Sequence, residues 1–243
     1  MSKVKISVVI PCYNEGITFE KSVSDITRVL KSLNNDWEII FVEDKSIDQT
    51  KQTIEKIIKN TPGVRAIFHL KNEGRGKSVA DGIKVSKGAI CGFLDVDGEI
   101  SPTYIPVFIN EIEKRNDMVI ATRFYESNNR FLRYLASKIY SVLVNKILDL
   151  PFKDTEAGFK FFKRSKILHV INKTNDNRWF FDTEICTRAY FGGLKISEVP
   201  VLFIRRVDKK STVRLIPDSI EYFKKAMNFR SKVKRMKKAY ENK

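Results

Sequence analysis

Across about the first 120 residues, short apolar runs alternate with stretches of helical spacing, and most of the runs close on a polar cluster. Ile6 to Pro11 reads as a buried strand that leaves through Tyr13-Asn14-Glu15-Gly16. Thr18 to Leu33 sets Phe19, Val23, Ile26, Val29, Leu30 and Leu33 near helical spacing, and Asn34-Asn35 ends it. Trp37 to Val42 is a second strand closing on Glu43-Asp44-Lys45-Ser46, and Asp48 can cap a helix to about Lys59. Val64 to His69 is a third strand, followed by Asn72-Glu73-Gly74-Arg75-Gly76-Lys77-Ser78 and a helix to Lys87. A fourth strand at Ala89 to Leu94, a helix over Tyr104 to Lys114 and a strand at Met118 to Ala121 complete the series. Strands and helices alternating at these lengths predict an α/β fold, a mostly parallel sheet with helices on both faces. Open sheets of this kind bind ligands beyond the carboxyl ends of their strands. The four polar clusters should therefore converge on one edge.

The fourth strand carries the densest chemistry. Ala89-Ile90-Cys91-Gly92-Phe93-Leu94 is apolar enough to be buried on both faces, and Asp95-Val96-Asp97-Gly98-Glu99 follows at once. Alternate residues of an extended chain point the same way, so Asp95 and Asp97 can share one target. With Glu99 they offer three hard oxygen donors, which suit Mg²⁺ or Mn²⁺ better than zinc, and such an ion would hold a diphosphate. The plainer reading of Asp-x-Asp-Gly is a polar turn after a strand. Convergence with the other clusters favours the metal.

The net charge of +16 implies an anionic partner: nucleic acid, an acidic membrane surface or a phosphorylated substrate. Cys12, Cys91 and Cys186 are odd in number and far apart, which suits a reducing cytosol and argues against disulfides or zinc. His69 and His169 have no ligand-spaced neighbours. No apolar run approaches the roughly 20 residues needed to cross a bilayer, and the N-terminus shows no signal-peptide pattern.

The second half reads differently. Phe131 to Leu148 has helical spacing, with Arg130, Arg133, Lys138 and Lys146 beside the apolar side. Asp154 to Lys163 is loop and strand, Phe180 to Glu184 starts another helix, Ile196 to Ile204 is a further strand, and a last helix begins near Ile216. We divide the chain into one domain over residues 1–215 and a basic C-terminal helix over residues 216–243. In that helix Tyr222, Ala226, Phe229, Val233, Met236 and Tyr240 recur at spacings of four and three. Lys224, Lys225, Arg230, Lys232, Lys234, Arg235, Lys237 and Lys238 surround them. A basic amphipathic helix of this kind predicts contact with an anionic membrane surface. Packing on the domain, an oligomer contact and a solvated tail are the competing readings.

Gly74-Arg75-Gly76-Lys77-Ser78 matches only the end of a phosphate loop, because Lys71 stands where the first glycine is required. A kinase or NTPase is disfavoured. Arg75 and Lys77 can still help bind a nucleotide diphosphate, or simply belong to a solvated loop capping the next helix.

Taken as an ordered set, these segments resemble a known family. Val9-Ile10-Pro11-Cys12-Tyr13-Asn14-Glu15, Glu43-Asp44-Lys45-Ser46, Asn72-x-Gly-x-Gly-Lys and Asp95-Val96-Asp97 are similar to the inverting glycosyltransferase family 2. Ala121-Thr122-Arg123-Phe124, Asp154 to Lys160, Arg178 to Glu184 and Glu198-Val199-Pro200 resemble more narrowly the dolichyl-phosphate mannose and glucose synthases. The likeness runs from about Ile6 to Ser211. It implies the GT-A fold, a Rossmann-like version of the sheet predicted above, and a GDP- or UDP-sugar donor. It places Pro11, Tyr13 and Glu15 around base and ribose, Asp44 on the base, and Lys77 among the residues around the nucleotide. Asp95 and Asp97 would hold the metal-bound diphosphate, with Glu99 a further ligand. Arg123, Arg133, Ser137 and Arg206 match positions that gather phosphate groups in the mannose synthases. Two segments depart from the pattern: Glu43-Asp44-Lys45 replaces the usual Asp-Asp, and Lys209-Lys210-Ser211-Thr212 replaces Gly-x-Ser-Lys.

The implied reaction is sugar transfer to a polyprenyl phosphate by a peripheral protein at the cytoplasmic membrane face. A phosphate monoester, with a second pKa near ~6, attacks without much help from a base. A sugar or protein hydroxyl would need one, and Asp154, Asp182 and Glu184 are the available carboxylates. Asp97 and Arg123 would steady the leaving and incoming phosphates. A soluble family member acting on a hydroxyl is the nearest rival. A sugar-phosphate nucleotidyltransferase would want a glycine-rich basic loop where Pro11 to Glu15 stands. A nucleic-acid module has no use for clustered carboxylates, and no nucleic acid is expected.

Overall fold

The computed structural model describes residues 5–125, 142–205 and 215–242. Seven strands form one sheet: β1 (Ile6–Cys12), β2 (Trp37–Glu43), β3 (Val64–Phe68), β4 (Ile90–Leu94), β5 (Met118–Tyr125), β6 (Phe159–Lys163) and β7 (Ile196–Phe203). The helices are α1 (Phe19–Lys31), α2 (Thr50–Asn60), α3 (Arg75–Val85), α4 (Ile105–Glu113), α5 (Arg164–Ile171), α6 (Phe181–Phe191) and α7 (Leu215–Glu241). The strand order is β3-β2-β1-β4-β6-β5-β7. All pairings are parallel except those of β6, which runs antiparallel to both β4 and β5. The sheet is thus the mostly parallel one expected. One strand from the loop-and-strand stretch is threaded into its middle, so β4 and β5 are not neighbours.

The period of two along the strands sorts side chains into two cores. Ile6, Val8, Ile10, Ile39, Phe41, Phe159 and Phe161 face α1, α2 and α4. Val9, Ile40, Val42, Cys91, Phe93 and Phe162 face α3, α5 and α6. Both faces of the sheet are covered, which is why its strands read as nearly continuous apolar runs.

A third cluster changes the reading of the C-terminal helix. Tyr222, Ala226, Phe229 and Val233 are buried against Val144, Leu148, Leu150, Phe180 and Phe191, with Met236 partly covered. The Tyr240 ring stacks near Tyr190 and Phe191, with centroids 5.8 and 6.2 Å away. The apolar stripe expected to meet a membrane is therefore spent on the protein's own α6 and on residues 144–150. What α7 leaves to solvent is its basic side, where Lys224, Arg230, Lys232, Lys234, Arg235 and Lys238 are exposed. No described helix is long and apolar enough to cross a membrane. Of the helix expected over Phe131 to Leu148, residues 142–147 are helical and residues 131–141 lie outside the described residues.

Candidate active site

The chain leaves β1 toward β2 and β3 on one side, and the sheet then resumes at β4 on the other. In open sheets such a reversal is where ligands bind, here at the carboxyl ends of β1 and β4. Their pairing stops at Val9 and Phe93, so Pro11 needs no N–H for a β4 partner.

The loops after β1 and β2 are laced together. The Asn14 N–H donates to Ser46 Oγ (3.1 Å), the Ile47 N–H to Asn14 Oδ1 (2.9 Å) and the Glu15 N–H to Thr50 Oγ1 (2.8 Å). Glu15 accepts from the Tyr13 N–H at 3.0 Å, and Tyr13 is partly exposed. Asp44 is buried. It accepts from the Glu73 and Gly74 N–H groups, both at 2.8 Å, and lies 2.7 Å from His69 Nδ1. Its carboxylate thus organises the loop that starts α3. Gly74 sits there at φ +100°, a conformation that strains any residue with a Cβ. Lys77 pairs with Asp81, one turn on.

The decisive side chain is Arg75, at the start of α3. Its Nε lies 2.9 Å from Asp95 Oδ1, and its Nη1 donates to Asp182. Asp182 also takes Lys160 Nζ at 2.7 Å, and Lys160 has no exposed surface at all. Lys160 lies on β6 between β4 and β5, where alternation turns it toward α6. Asp182, weighed above as a base, is instead the shared counter-ion of two cations. Burial weighs against the charged form of Arg75, but the two carboxylates win and it holds its proton more tightly than usual.

The loop of residues 154–158 carries this cluster across to β5. Arg123 forks onto Asp154, with Nε at 2.6 Å and Nη2 at 3.0 Å from its oxygens. Burial would raise the Asp154 carboxyl, yet Arg123 and the N–H of Glu156 hold it below the usual carboxylate range. Gly158 closes the loop against the Asp95 carboxylate: a Cβ there would stand 1.8 Å from Asp95 Oδ2. Glu184 is occupied by Arg188 (2.7 Å) and by the N–H groups of Asn175 and Asp176.

The metal expectation falls on the end of β4. Asp95 and Asp97 stand together at the end of β4, and burial plus the charges of Asp97 and Asp182 push Asp95 up despite Arg75. Such crowding of negative charge fits one more cation. Among the described residues, however, no three His, Cys, Asp or Glu side chains gather to close around a metal. One oxygen of Asp95 is already spent on Arg75. Arg133, Ser137 and Arg206 lie outside the described residues.

Two site residues were not singled out from sequence. Lys160 was hidden in an apolar strand, and Glu156 in the loop before it. Glu156 has a carboxyl oxygen, Oε1, buried without a partner, and burial pushes its carboxyl up to about 7.

Residues 7–194 match the model of glycosyl transferase family 2. The chain belongs to that family. It is 29% identical over 97% of its length to the dolichol-phosphate mannosyltransferase of Pyrococcus furiosus, covering 67% of that protein. It is also 29% identical over 82% of its length to a dolichyl-phosphate beta-glucosyltransferase of Trichomonas vaginalis, covering 66% of it. The chain thus spans about two thirds of the length of these curated relatives. Glucosyl-3-phosphoglycerate synthase of Mycobacterium tuberculosis, crystallised with Mn²⁺, UDP and glucosyl-3-phosphoglycerate, superposes with a TM-score of 0.68. That match covers 93% of this chain and 80% of the synthase at 17% identity. It bears on the fold alone, which is GT-A.

Proposed function

We propose that this protein transfers a sugar, with inversion, from a nucleotide-diphospho-sugar to the phosphate of a polyprenyl lipid of the dolichyl type. The observation that carries this reading is the state of the carboxylates. Asp154, Asp182 and Glu184, the carboxylates read from the sequence as candidate bases, are each locked in an ion pair. An acceptor that needs no base suits such a site, and a phosphate monoester is already an anion at neutral pH. The relatives' names, each a transferase of dolichyl or dolichol phosphate, agree.

The donor, a GDP- or UDP-sugar, would lie at the carboxyl ends of β1 and β4, with Pro11, Tyr13 and Glu15 toward its nucleoside. Arg75 and Asp97 would lie at its diphosphate. A divalent metal, Mg²⁺ or Mn²⁺, would be held by Asp97 with Asp95 and would supply Lewis-acid stabilisation of the departing diphosphate. The neighbour of the same fold was crystallised with Mn²⁺ and UDP. Arg123, anchored by Asp154, would lie beside the acceptor phosphate, with Arg133, Ser137 and Arg206 as further proposed contacts. The lipid puts the reaction at a membrane surface, which we take to be the cytoplasmic face. There the basic side of α7 offers on the order of 1 kcal/mol per residue toward anionic lipid.

One observation favours a second reading, a hydroxyl acceptor: Glu156, at about 7, has the pKa of a serviceable general base. A donor screen separates the two. Nucleoside-diphosphate release from GDP- and UDP-sugars with Mn²⁺ should rise strongly when farnesyl phosphate is added. Release stimulated only by glycans or alcohols would favour the hydroxyl acceptor.

A further inference from the structure

We propose that Glu156 serves in its protonated form, donating a hydrogen bond to the acceptor phosphate beside Arg123, and that its ionisation turns that phosphate away. The inference rests on the polyprenyl-phosphate reading and assigns a specific acceptor contact within it.

The geometry begins with the loop that enters β6. Asp154 anchors Arg123, and two residues on, Glu156 turns back toward the same guanidinium, with Oε2 3.8 Å from Arg123 Nη2. That distance is an ion-pair contact and not a hydrogen bond. The other oxygen, Oε1, is buried and has no hydrogen-bond partner. A buried carboxylate oxygen with no donor is unfavourable, and it is relieved by a donor or by a proton. The side chain as a whole is 22% exposed, although Oε1 itself is covered.

The charges facing Glu156 come from four elements. Arg123 on β5 and Lys160 on β6 favour its ionised form. Asp154 in the loop and Asp182 on α6 oppose it, and burial, the largest influence, opposes it too. The outcome is a carboxyl that carries a proton for much of the time near neutral pH, in contrast to Asp154 two residues away.

A phosphate monoester at that pH is close to a dianion. Set beside an ionised Glu156 it would meet a like charge in a partly dry site. Set beside a protonated one it gains an O–H···O⁻ bond, one of the stronger kinds. The transfer itself moves no proton. A phosphate oxygen forms the bond to the anomeric carbon, the bond from that carbon to the donor diphosphate breaks, and its electron pair leaves with the nucleoside diphosphate. Glu156 would hold a non-attacking oxygen throughout and keep its proton. In this role glutamine is an adequate substitute, whereas a general base could not be replaced by it.

The test is binding of farnesyl phosphate to the full chain, by calorimetry at pH 7.0 and 8.5. Across that interval the protonated fraction of a group near 7 falls about 15-fold. The wild-type affinity should fall by about as much, and that of Glu156→Gln by less than about twofold. Glu156→Ala should be equally insensitive to pH but weaker than Glu156→Gln, having lost the donor. A pH-dependent loss in Glu156→Gln as steep as in wild type would overturn the assignment. So would a Glu156→Gln enzyme that binds farnesyl phosphate normally but no longer turns over, because that is the signature of a base. If neither variant folds, a flat wild-type affinity between the two pH values would refute it. Absence of any wild-type binding would instead sink the polyprenyl-phosphate reading, and this inference with it.

Discussion

Asp182→Asn offers the sharpest test of how the site is held together. The substitution conserves volume and removes the one negative charge shared by Lys160 and Arg75. Lys160 has no exposed surface, and its remaining partner is the Ala157 carbonyl. Arg75 is 13% exposed and keeps Asp95. Breaking a buried pair by removing one partner costs about 3–5 kcal/mol. Because Arg75 retains a carboxylate and Lys160 does not, most of that cost falls on Lys160. We expect a loss of about 3 kcal/mol, against a total stability of roughly 5–15 kcal/mol for a typical domain. Adding Lys160→Met removes the stranded cation, so the double variant should recover at least half of the loss. Urea unfolding followed by circular dichroism measures all three proteins. A loss under about 1 kcal/mol for Asp182→Asn, or no recovery in the double variant, would refute the counter-ion account.

Other substitutions probe the remaining parts. Asp97→Ala should nearly abolish nucleoside-diphosphate release while leaving the unfolding midpoint close to wild type; full activity with EDTA present would remove the metal pair. Arg123→Lys keeps the charge but loses the fork on Asp154, and should slow turnover about tenfold or more, which steady-state kinetics would show. Phe229→Ala should destabilise by about 3–5 kcal/mol in urea, because the ring is buried on Phe180 and under Arg188. Charge reversal at the exposed Lys232, Lys234 and Arg235 should instead leave stability alone and weaken sedimentation with anionic vesicles. Glu156 has a folded pKa of about 7, above its unfolded value, so its contribution is present below about pH 4 and is lost as pH rises through 7. Glu156→Gln should therefore gain up to about 3 kcal/mol over wild type at pH 8.5 and only about 1 kcal/mol at pH 5, read from unfolding curves at the two pH values.

Much of this architecture was legible in the chain because strand and helix periods differ. The strands β1, β2 and β4 are largely apolar on both faces, the edge strand β3 less so, and each of the four closes on polar residues that the fold gathers at one edge. Direction in a sheet has no such signature. Phe159 to Lys163 reads as a short strand, but nothing in five residues says that it runs antiparallel between β4 and β5. That insertion is what carries Lys160 to Asp182. The stripe from Tyr222 to Tyr240 shows the same limit from another side. Helical spacing establishes that a face is apolar; whether lipid or protein covers it depends on residues far away in sequence, here Phe180, Phe191, Val144 and Leu148. Carboxylates behave likewise. Asp154, Asp182 and Glu184 are equivalent as candidate bases in the sequence, and only the fold pairs each with a cation and leaves an oxygen of Glu156 without a hydrogen bond.

The acceptor is the centre of the account, and the identity of the product tests it most directly. The intact protein, incubated with Mn²⁺, an α-linked sugar nucleotide and farnesyl phosphate, should yield a lipid-extractable sugar phosphodiester by mass spectrometry. Its anomeric proton should show the β configuration by NMR. A donor that releases its nucleoside diphosphate while the sugar appears on a hydroxyl, with farnesyl phosphate recovered unchanged, would contradict the account.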